Sequence, residues 1–304
     1  MNYDEVTAGW ADFSYDGPPP PPTQEASPAR RLRDAIEPIA MHSVWSRSVN
    51  QRLAELGLDF FSGYAWSRAS ALGEPDPGVV VSSFAVFEPG LITAVYEQGR
   101  AIVGRDDLIA VRTEATTASL RDVLADGLDE AAVSGVADAL QVAAQTADPT
   151  GRPLFAGFAT QAWPEDPVGR LWHACELLRE HRGDSHIAVN VAHGIDPVEM
   201  NILTELWVGM PLFSYTSSRG WAPEVMEATA GRLRELGIMW NDELTDGGRA
   251  TRDRIEADTD AIEASIVETL GDDFDRIVSQ LSSWSQRCIE AGAFPPDPFK
   301  RAAG

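Results

Sequence analysis

Histidine and glutamate recur at helical spacing in one short stretch of this 304-residue sequence. His173, Glu176 and Glu180 stand at i, i+3 and i+7, which puts them on one face of a helix. His181 lies about 100° round from Glu180. His186 follows Gly183, a residue expected to end that helix and open a second one. A corner there would fold the second element back and bring the imidazoles together. Imidazole beside carboxylate suits proton transfer near neutral pH, a metal ion or a haem ligand. The same side chains in a structural role would pair with Arg179 and Arg182 or close a helix end. His173, Glu180, His181 and His186 are thus the candidate catalytic residues. Acid–base work on a bound molecule, metal or haem ligation, and structural pairing are the three readings to separate, and the spacing specifies neither a metal nor a cofactor.

Other residues are candidates for binding rather than reaction. His42 follows Pro38, where a kink is expected, and is placed to reach the same interior from the other half of the chain. A hydrogen-bonded, partly buried histidine is the structural alternative. Trp45, Tyr64, Trp66, Phe84 and Phe87 read as core residues, or as the lining of a cleft between two halves, where ligand sites are often found. A small organic ligand is the partner such rings imply. The acidic run Asp253, Glu256, Asp258 and Asp260 reads as a solvated helix face.

Composition removes several chemistries. Lys300 is the only lysine among 24 basic residues, so a Schiff-base amine, a pyridoxal phosphate anchor and a P-loop lysine have no credible carrier. HExxH, GxSxG, GxGxxG and Walker motifs are absent. The formal charge of -23 repels phosphate backbones, whose contacts supply most non-specific DNA affinity. No run of eighteen apolar residues suggests a membrane span. The opening MNYDEVTAGWADFSYDG is acidic and polar where a secretory signal is basic and then apolar. Cys175 and Cys288 are too few for a disulfide framework, so a soluble cytoplasmic protein is expected.

The elements that must hold these residues are mainly α. Residues 1–27, with five consecutive prolines from Pro18 to Pro22, read as a disordered Pro-rich tail. Docking of Tyr3, Trp10, Phe13 and Tyr15 on the body or on a partner is the alternative. Residues 28–150 read as an N-terminal helical domain, with helices over about 29–40, 49–56, 60–72, 79–87, 91–100, 119–125 and 129–147. Residues 151–304 begin with a helix over 168–182 and a second over 186–192. Asp196-Pro197-Val198-Glu199 then carries an N-cap, an N1 proline and an N3 glutamate, which starts a helix running to about Trp207. A helix over 224–236, two short strands joined by a tight turn at Asn241-Asp242-Glu243, and a long helix over 250–270 complete the order.

Over residues 168–270 this order resembles the MarR family. The resemblance rests on Arg232-Leu233-Arg234-Glu235-Leu236-Gly237, a hairpin, and Leu244-Thr245-Asp246-Gly247-Gly248-Arg249-Ala250, which match the end of a recognition helix, a wing and the LT-x-x-GR-A start of a dimerisation helix. It implies an N-terminal helical domain followed by a MarR-like winged helix with a short two-stranded wing and a long C-terminal helix. It also implies either a homodimer or a monomer whose N-terminal half makes a pseudo-dimer. Over about residues 29–297 the chain is similar to an actinobacterial family named for its helix-turn-helix domain, through Leu171-Trp172-His173-Ala174 and the segment Leu178 to His186.

The DNA-reading part lacks the charge its fold implies. From Ala222 to Asp260 ten acidic residues face five arginines, a net of -5, and Glu224 and Glu227 occupy the first turn of the would-be recognition helix. First-turn carboxylates also complement the helix dipole, and neither role helps DNA. The expectation is a degenerate MarR-like scaffold that binds a small molecule and no nucleic acid, with a tailoring reaction left open. A MarR-like transcriptional regulator and a metal- or haem-binding protein are the alternatives.

Overall fold

A computed structural model describes residues 1–11 and 26–299. The first part of the chain forms α1 (Tyr3–Ala11), α2 (Pro28–Ala40), α3 (His42–Trp45), α4 (Arg47–Glu55), α5 (Phe60–Ala69), α6 (Pro77–Phe84), α7 (Pro89–Ile102), α8 (Arg105–Leu124) and α9 (Glu130–Thr146). After α10 (Pro153–Phe158) comes α11 (Pro167–Ala192), which runs through the middle of the protein. Beyond it lie α12 (Pro197–Val208), α13 (Pro223–Glu235), a hairpin of β1 (Met239–Trp240) and β2 (Glu243–Leu244), α14 (Asp246–Ile262), α15 (Ala264–Leu270) and α16 (Phe274–Glu290). The protein is mainly helical, with a small two-stranded antiparallel sheet pairing Met239 with Leu244 and Trp240 with Glu243.

Local chemistry sets many of the boundaries. Asp166 and Asp196 each accept two backbone N–H groups at the start of a helix whose next residue is proline. The Asp196 cap is closed reciprocally by Glu199, as its spacing predicts. Asn241 takes a positive φ of 52° in the two-residue turn between β1 and β2.

The principal core crosses residue 150, where the sequence places a domain boundary. Ile36 and Ile39 of α2, Leu140 of α9, Leu171 and Trp172 of α11, and Ile277 and Leu281 of α16 belong to one buried cluster. A second cluster gathers Val49, Trp66, Phe84, Tyr96 and Leu108, with Leu154 from beyond the expected boundary. A small third one joins Ile202, Leu206, Ala230, Leu233 and Met239 around the hairpin. α11 packs against α9 and α2 at once, which joins residues from both sides of that position. Cys175 and Cys288 are both free, buried members of the principal core.

Three expectations need correction. Gly183 does not break a helix: the 26-residue α11 runs straight through it, and a Cβ there would meet open space. A glycine costs a helix interior only about 1 kcal/mol, which packing on both sides of α11 offsets. The helix expected over 250–270 is divided at Glu263 into α14 and α15. The tail expected to be disordered begins with α1, whose Val6 is buried and whose Tyr3 hydroxyl donates to the Trp45 carbonyl at 2.7 Å. Phe13, Tyr15 and the five prolines lie outside the described residues, as does the Trp10 side chain.

Candidate functional site

A cavity of about 240 Å³ lies between α2, α5, α11, α12 and α14. Gly183 supplies part of its wall, and the missing side chain there is part of the space. The rings of Trp45, Phe61, Tyr64, Phe84, Phe87 and Phe294 form an apolar side. The polar side is built from arginine. Arg30 and Arg33 come from α2, Arg68 from α5, Arg179 and Arg182 from α11, Arg252 from α14, and Arg219 from the segment between α12 and α13.

Carboxylates hold most of these guanidiniums in place. Glu180 takes Arg68 on both oxygens and Arg179 at 2.9 Å, and Glu37 takes Arg179 Nε on both of its own. Glu256 is shared by three helices: its Oε1 accepts from Arg30 at 2.9 Å and Arg182 at 2.5 Å, and its Oε2 from Arg252 at 2.8 Å. Burial acts to raise the Glu256 carboxyl, but Arg252, Arg182 and Arg30 outweigh it and hold it well below the ordinary value. Among the described residues five carboxylates, Asp34, Glu37, Glu180, Glu256 and Asp260, pair with these arginines. Seven guanidiniums thus stand around one cavity, with five carboxylates among the described residues paired to them, in a chain of net charge -23.

Several donors on these arginines stay unmet. Arg182 Nη1, Arg219 Nε and Arg252 Nε are buried without a hydrogen-bond acceptor. Arg219 lies over the rings of Tyr215 (4.1 Å to the centroid) and Phe87 (4.9 Å), and no carboxylate among the described residues pairs with it. A buried N–H left without an acceptor costs about 1–3 kcal/mol, so each marks a place where an incoming oxygen gains.

The histidines do not converge. His173, His181 and His186 share one continuous helix, where steps of eight and five residues turn them onto different sides. His173 meets the Trp163 ring edge at 4.8 Å, with Nδ1 3.7 Å from Glu176. His181 Nδ1 donates to Glu263 at 2.8 Å, and its ring meets Phe155 edge to face. Of the four residues nominated for catalysis only His186 lines the cavity, and Glu180 stands one layer behind it, holding Arg68. Of the binding candidates, Trp45, Tyr64, Phe84 and Phe87 line it. Trp66 is fully buried, its indole donating to the Val103 carbonyl, and His42 bonds to Ser119 at 2.9 Å. The acidic face of α14 is solvated only in part: Glu256 is buried, Asp260 pairs with Arg182 and Asp253 accepts the Trp207 indole N–H, while Asp258 is exposed and meets His193.

Burial of His42 has a measurable consequence. Desolvation pushes its pKa down from 6.5 to about 4. The unfolded chain takes up a proton at this ring below pH 6.5 while the folded chain refuses it, so the stability is whole above pH 6.5 and drains as pH falls toward 4. By pH 4.5 the loss from His42 alone reaches about 2–3 kcal/mol. Urea unfolding at pH 7 and pH 4.5 measures it, and His42→Gln is expected to flatten the difference by that amount. An unchanged pH dependence in the variant would show that this ring is not the titrating group.

The profile of a Helix-turn-helix family matches residues 29–295. The chain belongs to that family. No curated protein and no solved structure matches it. In this helix-turn-helix chain the arginines of α13, the helix expected from the sequence to stand where a recognition helix would, are already engaged. Arg232 of α13 donates to Asp196 at 2.7 Å, and Arg234 reaches the Asn241 carbonyl and Asp242. Glu224 and Glu227 stay exposed on the same helix. Among the described residues there is no group of three or more His, Cys, Asp or Glu able to hold a metal ion, and no helix long and apolar enough to cross a membrane.

The arginine wall is what spacing arguments missed. One signal was available: 23 arginines to one lysine. Arginine is the cation that tolerates burial, because its planar fork satisfies several acceptors at once, and such a ratio fits cations kept inside rather than on the surface.

Proposed function

We propose that this chain binds a small organic anion in the cavity, on a MarR-like winged-helix scaffold of the actinobacterial helix-turn-helix type that no longer engages DNA. The observation that carries the reading is the set of three arginines, Arg182, Arg219 and Arg252, that line a cavity with an aromatic side and keep buried N–H groups without an acceptor among the described residues. A carboxylate or similar acid supplies oxygens to those donors while its apolar body lies against Tyr64, Phe84 and Phe87. Arg219, free of any carboxylate among the described residues, is the natural first contact. Of the nominated acid–base residues only His186 is placed for a tailoring reaction on such a ligand.

Calorimetry with phenylacetate and its cationic counterpart phenethylamine tests the reading. The acid is expected to bind and the amine not. Arg219→Gln is expected to weaken the acid by about tenfold or more, the size of one charge-assisted hydrogen bond. Gly183→Leu, which puts a side chain into the open space, is expected to abolish binding while the protein stays folded. Equal binding of acid and amine, or none of either, would sink the reading.

Family membership favours a second reading, a transcriptional regulator. A gel shift on the promoter of its own gene, repeated across salt concentrations, separates the two. Tight, steeply salt-dependent binding would establish the regulator, since phosphate contacts impose that slope. The pairing of Arg232 and Arg234 with acidic neighbours argues for none.

A further inference from the structure

Two acceptors on the cavity wall are as unsatisfied as its donors, and they bear on what the anion must carry. The His186 ring is fixed from behind: Nδ1 lies 3.0 Å from Thr259 Oγ1, and that hydroxyl donates at 2.8 Å to the Ile255 carbonyl one turn back. Thr259 therefore meets Nδ1 with a lone pair, Nδ1 carries the ring hydrogen, and Nε2 is left as a bare acceptor. His186 lines the cavity, and among the described residues no donor reaches its Nε2. The charged groups facing the ring are Arg252, Glu256, Arg182 and Arg30; burial, then Arg252, pushes its pKa down to about 3, so it stays neutral. The second acceptor is Asn201 Oδ1. Its side chain is 1% exposed, its Nδ2 is spent on the Val86 carbonyl at 2.8 Å, and Oδ1 has no partner. Glu37 and Glu256, by contrast, are saturated by arginines.

We infer that the bound anion also carries a neutral hydrogen-bond donor, a hydroxyl or an amide N–H, which docks on His186 Nε2 and Asn201 Oδ1. The inference rests on the anion-binding reading and narrows it to hydroxy or amido acids. An ammonium is the wrong donor, because Arg219, which no carboxylate among the described residues neutralises, stands on the same wall and repels it. Burying a donor-poor acid instead leaves Nε2 and Oδ1 desolvated and unpaired, which penalises it relative to a hydroxyl-bearing analogue.

Calorimetry with phenylacetate, 3- and 4-hydroxyphenylacetate and phenylalanine on the intact protein tests this. The better hydroxyphenylacetate is expected to bind about tenfold tighter than phenylacetate, and phenylalanine weaker than both. His186→Asn keeps a donor where Nδ1 meets Thr259 but places nothing at Nε2, so the ratio of hydroxyphenylacetate to phenylacetate affinity in this variant is expected to fall toward one. His186→Gln, which can set a carbonyl oxygen near the Nε2 position, is expected to restore part of it. If phenylacetate binds but the hydroxyl brings no gain, or the gain survives in His186→Asn, the donor inference falls and the cavity reading stands. If none of the acids binds, both fall. A nitrogen-15 spectrum of the imidazole gives an independent check, and a hydrogen on Nε2 in the free protein would overturn the inference.

Discussion

Glu256→Gln is expected to lower stability by about 3–5 kcal/mol, the range for removing one partner from a buried ionic cluster, and with it the melting temperature by roughly 10 °C in a chain of this size. The carboxylate is the shared anion of Arg30 on α2, Arg182 on α11 and Arg252 on α14. Glutamine offers one acceptor oxygen to three cations and turns an N–H pair toward another. Three desolvated guanidiniums then repel each other at the junction of three helices. Thermal unfolding measures the loss, and its reversal by an added acid that binds the cavity would tie the cluster to the ligand. A variant that melts with the wild type would mean the cations relax into solvent, and the wall described above would not exist as a fixed structure.

Gly248→Ala is expected to cost about 3 kcal/mol, at the upper end of overpacking effects, and to weaken ligand binding as well. A Cβ at residue 248 would overlap the Ile238 carbonyl oxygen. That oxygen cannot withdraw, because it also accepts the Thr245 N–H at 3.0 Å, while Thr245 Oγ1 caps the Gly248 N–H. The start of α14 is therefore bolted to the residue before β1, and Arg252 and Glu256 follow one and two turns later. Gly247→Ala is the control: its Cβ would lie 3.7 Å from Thr245 Oγ1, an ordinary contact, and near-neutral behaviour is expected. Chemical denaturation of the two variants side by side decides it, and equal stabilities would remove the steric explanation for this glycine.

Legibility in the sequence followed the range of each interaction. Local signals read correctly: the Asp196 capping box, the tight turn at Asn241, and the order of helix, hairpin and helix from residue 196 to 262. Trp45, Tyr64, Phe84 and Phe87, which the sequence left between core and cleft, line the cavity. What failed depended on partners far away in the chain. Glu256 and Asp260 look solvated until Arg182 and Arg30 arrive from other helices. Gly183 looks like a terminator until packing on both sides of α11 outweighs its weak propensity. The histidines then fan out instead of meeting, because an unbroken helix dictates their directions.

The burial of α11 between α2 and α9 has a consequence for how this protein is dissected. A fragment beginning at residue 151 retains α10 to α16 and the hairpin but loses Ile36, Ile39 and Leu140, which share one buried cluster with Leu171 and Trp172. The complementary piece keeps those side chains and loses the helix that covers them. Truncation mapping at that point would yield two sticky, unfolded polypeptides. An isolated C-terminal piece that clings to nucleic acid or to detergent would then be reporting exposed interior, not an ancestral activity, so point substitutions in the intact chain are the sound way to separate its roles.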